Sequence, residues 1–154
     1  MTIPFSTNII SAARKILIDD NTEPSIGHCI DYFVPNEKII HGGNVKAETP
    51  PYISLWFETG ESFSGLPAQN GELTIEVWYN EHSLQAKTKL EQCSSRIVHL
   101  LDKKPSTLNA QGFSTEVKSI KKLNVYSIPP DDDGLIHHLI VFAVIYSDNW
   151  NGES

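Results

Sequence analysis

Between Pro50 and Lys104 the chain changes its hydrophobic period once, and that change limits what it can fold into. PPYISLWFE and ELTIEVWYN alternate at a period of two, as strands do. SLQAKTKLEQCSSRIVHLLDKK then repeats at 3.6, the period of an amphipathic helix of about 20 residues. Two neighbouring aromatic strands followed by a helix form a small α+β unit, and the rest of the chain has to complete its layers.

Reading outward from that unit gives the order α-β-β-β-α-β-β. A first helix starts with Ser6 or Thr7 as N-cap, carries Ile9, Ile10, Ala13, Ile16 and Leu17 on one stripe, and ends at Asp19-Asp20-Asn21. IGHCIDYF, from Ile26 to Phe33, reads as a strand, and residues 34 to 51, with Gly-Gly and Pro-Pro, as a long connection. Such length inside a compact domain implies a function or a partner. The second strand, Tyr52 to Glu58, is apolar on both faces, so it is central or has one face covered by another subunit. Thr59 to Gly71 reads as an extended arm. In the third strand, Glu72 to Asn80, only Trp78 breaks the polar face. The helix takes Ser83 as N-cap and puts Leu84, Ala86, Leu90, Cys93, Ile97, Leu100 and Leu101 on one stripe; Pro105 stops it. Gly112 to Val117 and Lys121 to Ser127 read as strand segments with a break or bulge near residues 118 to 121, and Leu135 to Tyr146 as a central strand apolar on both faces. The expected architecture is a mixed, mostly antiparallel sheet with both helices packed on one face, in a single domain of residues 1–154 whose tail is mobile from about 148.

Composition narrows the class. A chain of 154 residues with 40% hydrophobic and 20% charged residues buries a core without metal or disulfide, and no apolar run approaches a membrane span. MTIPFSTNII has neither the basic region nor the apolar core of a signal peptide, which implies synthesis in the cytosol. Cys29 and Cys93 belong to no CxxC pair and read as reduced thiols behaving as small hydrophobes. The net charge of −7 is uneven: residues 1–82 carry −7, 83–122 carry +5 and 123–154 carry −5. A protein gripping nucleic acid needs a dominant basic footprint, which an acidic total argues against. A basic middle suits either an ordinary solvated helix face or a patch that meets opposite charge on a neighbouring subunit.

No constellation selects a chemistry. His137 and His138 adjoin Asp131-Asp132-Asp133, but adjacent residues of a strand point to opposite faces and cannot chelate one ion together, and PPDDDG is turn chemistry without the alternating ligands of a calcium loop. GESFSG fails the Gly-x-Ser-x-Gly pattern and lies between two strands. Gly42-Gly43 lacks the third glycine of a dinucleotide fingerprint. His28 and Cys29 face opposite ways in a straight strand, and the carboxylates show no spacing that selects an acid and a base. The expectation is no catalytic residue, no cofactor and no metal.

PPYISLWFE, ELTIEVWYN, the helix from Ser83 to Lys104, the Gly112-Phe113 strand and the final DDDGLIHHLIVFAVIYSD strand together resemble, over roughly the whole chain, the tail-terminator and tail-completion (neck) proteins of long-tailed bacteriophages. The resemblance implies a structural α+β subunit, not an enzyme. Such subunits form a hexameric ring at the head-proximal end of the tail tube, stop tube polymerisation and mediate head-tail joining. Implied partners are further copies of the chain, a tail tube protein and a head-side neck or adaptor protein. The implied location is the virion tail or neck, after assembly in the host bacterial cytoplasm. An acidic ring would let DNA pass without binding it tightly. Aromatic and apolar residues on strands and arm, namely Tyr52, Trp56, Phe63, Leu66 and Trp78, are the expected subunit contacts. Departures are the long 34–51 connection and the 59–71 arm, so a neighbouring neck or stopper role stays open. So do a small dimeric α+β ligand-binding or regulatory domain and, third, a hydrolase using His28 or His137.

Overall fold

A computed structural model describes residues 5–22, 25–26, 39–41, 51–62, 69–80, 85–113 and 115–148. In chain order these form α1 (Phe5–Asp19), β1 (Ile39–His41), β2 (Tyr52–Ser62), β3 (Gln69–Asn80), α2 (Ala86–Leu101), α3 (Pro105–Asn109), β4 (Thr115–Ile128) and β5 (Leu135–Asp148). The five strands make one sheet in the order β1-β2-β3-β5-β4. β1 runs parallel to β2 and every other pairing is antiparallel, so the fold is α+β with a mixed, mostly antiparallel sheet, as the sequence implies.

Strand periodicity sorts the side chains. Ile53 and Leu55 of β2, Leu73, Ile75, Val77 and Tyr79 of β3, and Ile136, Ile140, Phe142, Val144 and Tyr146 of β5 share the face under the helices and are buried. Against them α1 sets Ile9, Ile10, Ala13, Ile16 and Leu17, and α2 sets Leu90, Cys93, Ile97 and Leu101. Gly71 belongs to this face for a steric reason: the Phe57 ring, packed edge-on to Tyr146 at 5.5 Å, lies where a side chain at 71 would stand, so that an added Cβ would collide with ring carbon Cζ.

Several boundaries differ from the sequence reading. Ile26 is helical and buried, so no strand starts there, and the rest of that segment to Phe33, including Cys29, lies outside the described residues. The long connection instead contributes β1. β2 and β3 extend into the expected arm, pairing as far as Ser62↔Gln69 after an irregularity beyond Thr59. α2 starts after Gln85 in a left-handed conformation (φ 60°) with no side-chain cap, and Ser83 lies outside the described residues. Pro105 opens α3 at its first turn, where a missing N–H costs nothing. Gly112 is not strand but a left-handed residue (φ 86°) just past α3. β4 is continuous: the irregularity expected near residues 118 to 121 is a bulge at Val117/Ser119, and a second, not expected, follows at Lys122/Asn124. The PPDDDG turn is built as its chemistry predicts: Asp131 Oδ1 accepts from the amides of Asp133 (2.9 Å) and Leu135 (3.0 Å), and Gly134 takes φ 75°. The tail beyond Asp148 lies outside the described residues.

One ion pair ties the two main helices together. Asp20, just past α1, receives a bidentate grip from Arg96 of α2, at 2.9 Å from Nε and 2.6 Å from the terminal nitrogen, and also accepts the Ile26 amide at 3.0 Å. The Asp20 side chain is 2% exposed. Burial pushes its pKa up, but the Arg96 hydrogen bonds and charge together with the backbone amides outweigh it, so the carboxyl lies below its ordinary 3.8. A depressed carboxyl contributes stability above its unfolded pKa and loses it as pH falls through the folded value. Asp20→Asn is therefore expected to lower unfolding free energy by about 3 kcal/mol at pH 7, since it removes the buried carboxylate charge that Arg96 grips with two hydrogen bonds, and to flatten the acid limb of stability below pH 4. Urea unfolding at pH 7 and at pH 3 checks both; equal stability of variant and wild type at pH 7 would refute the assignment.

Candidate interaction surface

The sheet face away from the helices carries the aromatic residues singled out in the sequence. Tyr52, Trp78 and His137 are directly opposite one another on β2, β3 and β5. Their alternate neighbours Ile53, Val77 and His138 point to the helices, and Ser94 Oγ of α2 lies 2.7 Å from His138 Nδ1. The three rings form one stack: Tyr52 on Trp78 at 5.9 Å and 18°, Trp78 on His137 at 3.9 Å and 17°. Trp78 Nε1 and His137 Nδ1 are buried without a hydrogen-bond partner. Each such atom costs about 1–3 kcal/mol, which the buried ring area and stacking have to offset.

Beside the stack, Trp56 Nε1 donates to Glu76 Oε1 at 3.0 Å, and Glu76 Oε2 lies 3.6 Å from His137 Nε2, too long for a hydrogen bond. Burial pushes His137 below its ordinary 6.5 even though Glu76 and Asp131 pull it up. Burial does the same to His138, with His137 adding to the shift and Glu91 opposing it. Both imidazoles are therefore mainly neutral at pH 7. They face opposite ways, as strand geometry requires, so neither can join the other in one site. Among the described residues no group of three or more His, Cys, Asp or Glu lies close enough to hold a metal ion.

Of the five residues the sequence nominates, Tyr52, Trp56 and Trp78 share this face. They differ in exposure: Tyr52 is fully buried within the chain, Trp78 is half-buried and Trp56 is 37% exposed. Phe63 and Leu66 lie outside the described residues. Sequence reading missed His137 as the third ring of the stack, because the partner of Trp78 is set by the β3–β5 register, which a pattern of single strands does not contain. On the helix side, α2 leaves a groove against β4 and β5 that includes a cavity of about 350 Å³ bounded by Lys87, Leu90, Glu91, Pro129, Ile136 and His138.

Depressed histidines have a thermodynamic consequence. The unfolded chain binds protons near pH 6.5 that the folded chain refuses, so stability is full above that pH and declines as pH falls below it toward the folded values. His137→Phe keeps the stack and removes the orphaned Nδ1. It is expected to raise stability by about 1 kcal/mol and to flatten this slope. Histidine NMR titration with denaturant unfolding between pH 8 and 5 tests it; a His137 pKa above 6.5 would contradict the burial argument.

No known family model matches the sequence, and no curated protein matches it. Among solved structures, a chain from the virion of a native gene transfer agent particle is similar over 94% of this chain and 98% of its own length, with a TM-score of 0.67 and 9% sequence identity. At that identity the likeness is one of fold.

Proposed function

We propose that this chain is a structural virion protein, the subunit of a hexameric ring at the head-proximal end of a phage-type tail tube, where it stops tube polymerisation and joins tail to head. The observation that carries the reading is the fold shared, end to end, with a chain of a virion particle. Coverage near completeness on both sides means that the likeness extends over nearly the whole of the domain compared. Four of the five features that underlie the sequence resemblance, namely β2 with its Pro51-Tyr52-Ile53 start, β3, α2 and β5, are elements of this fold, whereas Gly112-Phe113 precedes β4.

In this reading the partners are further copies of the chain, a tail tube protein and a head-side neck or adaptor protein. The chain is not an enzyme, and its place is the virion tail or neck, assembled in the bacterial cytoplasm. The acidic total charge suits a channel that DNA traverses without sticking. Negative-stain electron microscopy of the purified protein, alone and with tail tubes, is the direct test, paired with duplex DNA anisotropy at physiological salt. Six-fold rings that cap tube ends, with weak DNA binding, are expected. Compact two-fold dimers that ignore tubes would move the assignment to a ligand-binding or regulatory domain, and tight DNA binding would contradict the channel role.

A further inference from the structure

We infer that each subunit carries two complementary docking patches at opposite sides of its sheet, an acidic one around Trp56 and a basic one around Leu123 and Tyr126, and that the basic patch of one copy seats on the acidic patch of the next. The inference deepens the ring reading above and rests on it.

Among the described residues the exposed large hydrophobics are Trp56 (37%), Leu123 (52%) and Tyr126 (47%). They fall into two places. Trp56 stands on β2, and two positions along the same face Glu58 and Glu72 sit directly opposite each other on β2 and β3, both exposed. Like charges in directly opposed strand positions repel, and neither glutamate forms an ion pair among the described residues. The two line a depression of about 330 Å³ together with Asn70, whose buried Oδ1 has no hydrogen-bond partner. Such an arrangement would be stabilised by a cationic neighbour in direct contact, which none of the described residues supplies.

That neighbour's chemistry is found on the opposite edge. Lys121, Lys122, Leu123 and Tyr126 are exposed along β4, and Lys103 stands exposed beside them because its amide bonds the Ile120 carbonyl at 2.9 Å. Lysines on an edge strand also deter unwanted pairing. A merely solvated edge, however, has no use for Leu123 and Tyr126 exposed among those lysines. The first half of β4 is already sealed: the Asn109 side chain pairs with Val117 N and O, and Asp102 Oδ1 accepts from the Lys122 amide. Beyond that seal, where Asn124 Oδ1 accepts from the Val125 amide at 2.8 Å, the edge carries the apolar pair, exposed among the described residues.

β3 and β5 separate Trp56 and Glu58 on β2 from β4, a span of about 14 Å at ordinary strand spacing; Glu72 is nearer, with only Ala143 of β5 between it and Lys121, yet no ion pair joins them among the described residues, so within one copy the two patches stay apart. Two different surfaces that complement each other make a head-to-tail contact, which closes into a ring when the rotation permits. A second copy is therefore the occupant that fits both charge and apolar exposure.

Charge reversal tests the pairing. Glu58→Lys with Glu72→Lys, and separately Lys121→Glu with Lys122→Glu, are each expected to weaken assembly by roughly tenfold or more in sedimentation velocity and native mass spectrometry. An equimolar mixture of the two variants should assemble again, in alternation, and so should the chain carrying all four changes. All of these positions are exposed, and circular dichroism verifies the fold; should a reversal prevent folding, Glu72→Gln and Lys121→Gln give the same loss at smaller amplitude. Wild-type rings that are indifferent to either reversal, or reversals that the mixture does not rescue, overturn the pairing while the ring reading stands. A wild type that forms no ring at any concentration or on tubes defeats the ring reading itself, and this inference with it.

Discussion

The pairing of β3 with β5 runs without interruption from Gln69↔Tyr146 to Asn80↔Leu135, and nearly everything else in the molecule depends on its register. Both strands place every second side chain under the helices. A slip of one residue would turn Ile75, Val77, Ile140 and Phe142 out of the core and bring Glu76 and Thr74 in. Because the apolar alternation in β3 is strict, the cost of such a slip is several buried side chains at about 2 kcal/mol each. β2 and β4 then add to this pair on either side, and both accept irregularities that the central pair does not. The bulges lie on the outer strands, where a local twist disturbs one partner instead of two.

Fixing that register also fixes the character of the second face. Glu76 and Trp78 of β3 meet Leu139 and His137 of β5, giving a surface that is neither a regular core nor a regular polar exterior. The Tyr52–Trp78–His137 stack holds three strands together there with almost no hydrogen bonding from its rings, and it keeps His137 neutral by burial. A neutral imidazole in a stack and a second one bonded to Ser94 on the far side of the sheet are each explained by packing. Residue types that could carry chemistry in another setting are here parts of the scaffold.

How much of this was legible in the sequence varied with the range of the determining contacts. Period-two and period-3.6 patterns are local, so β2, β3, α2 and β5 could be read from their own residues, as could the helix-facing sets Leu73/Ile75/Val77 and Leu90/Cys93/Ile97. β1 could not, because three residues, Ile39-Ile40-His41, carry no pattern and become strand only by pairing with Ile53, Ser54 and Leu55. α2's first turn was misjudged for a similar reason: Ser83 is a good cap by type, but the helix enters through Gln85 in a left-handed conformation. Of the surface, Trp56 and Trp78 were visible as apolar residues on polar faces, whereas the opposition of Glu58 to Glu72 appears only when two strands are laid side by side.

The edges of the sheet are where the proposed assembly would make its contacts. An antiparallel sheet ends in strands with unused amides and carbonyls, and a monomer has to blunt both. Here the α2–α3 turn, with Asp102 and the Lys103 amide, and the end of α3, with Asn109, blunt part of β4 up to the second bulge at Lys122/Asn124. At that bulge and beyond it the chain places Leu123 and Tyr126 in the open, at a cost in solubility that lysines on the same strand reduce. A protein optimised to remain alone would carry the seal through to Ile128. Stopping it halfway leaves an edge that charge protects against indiscriminate pairing, and in the proposed ring its exposed apolar pair would seat on a surface that neutralises that charge.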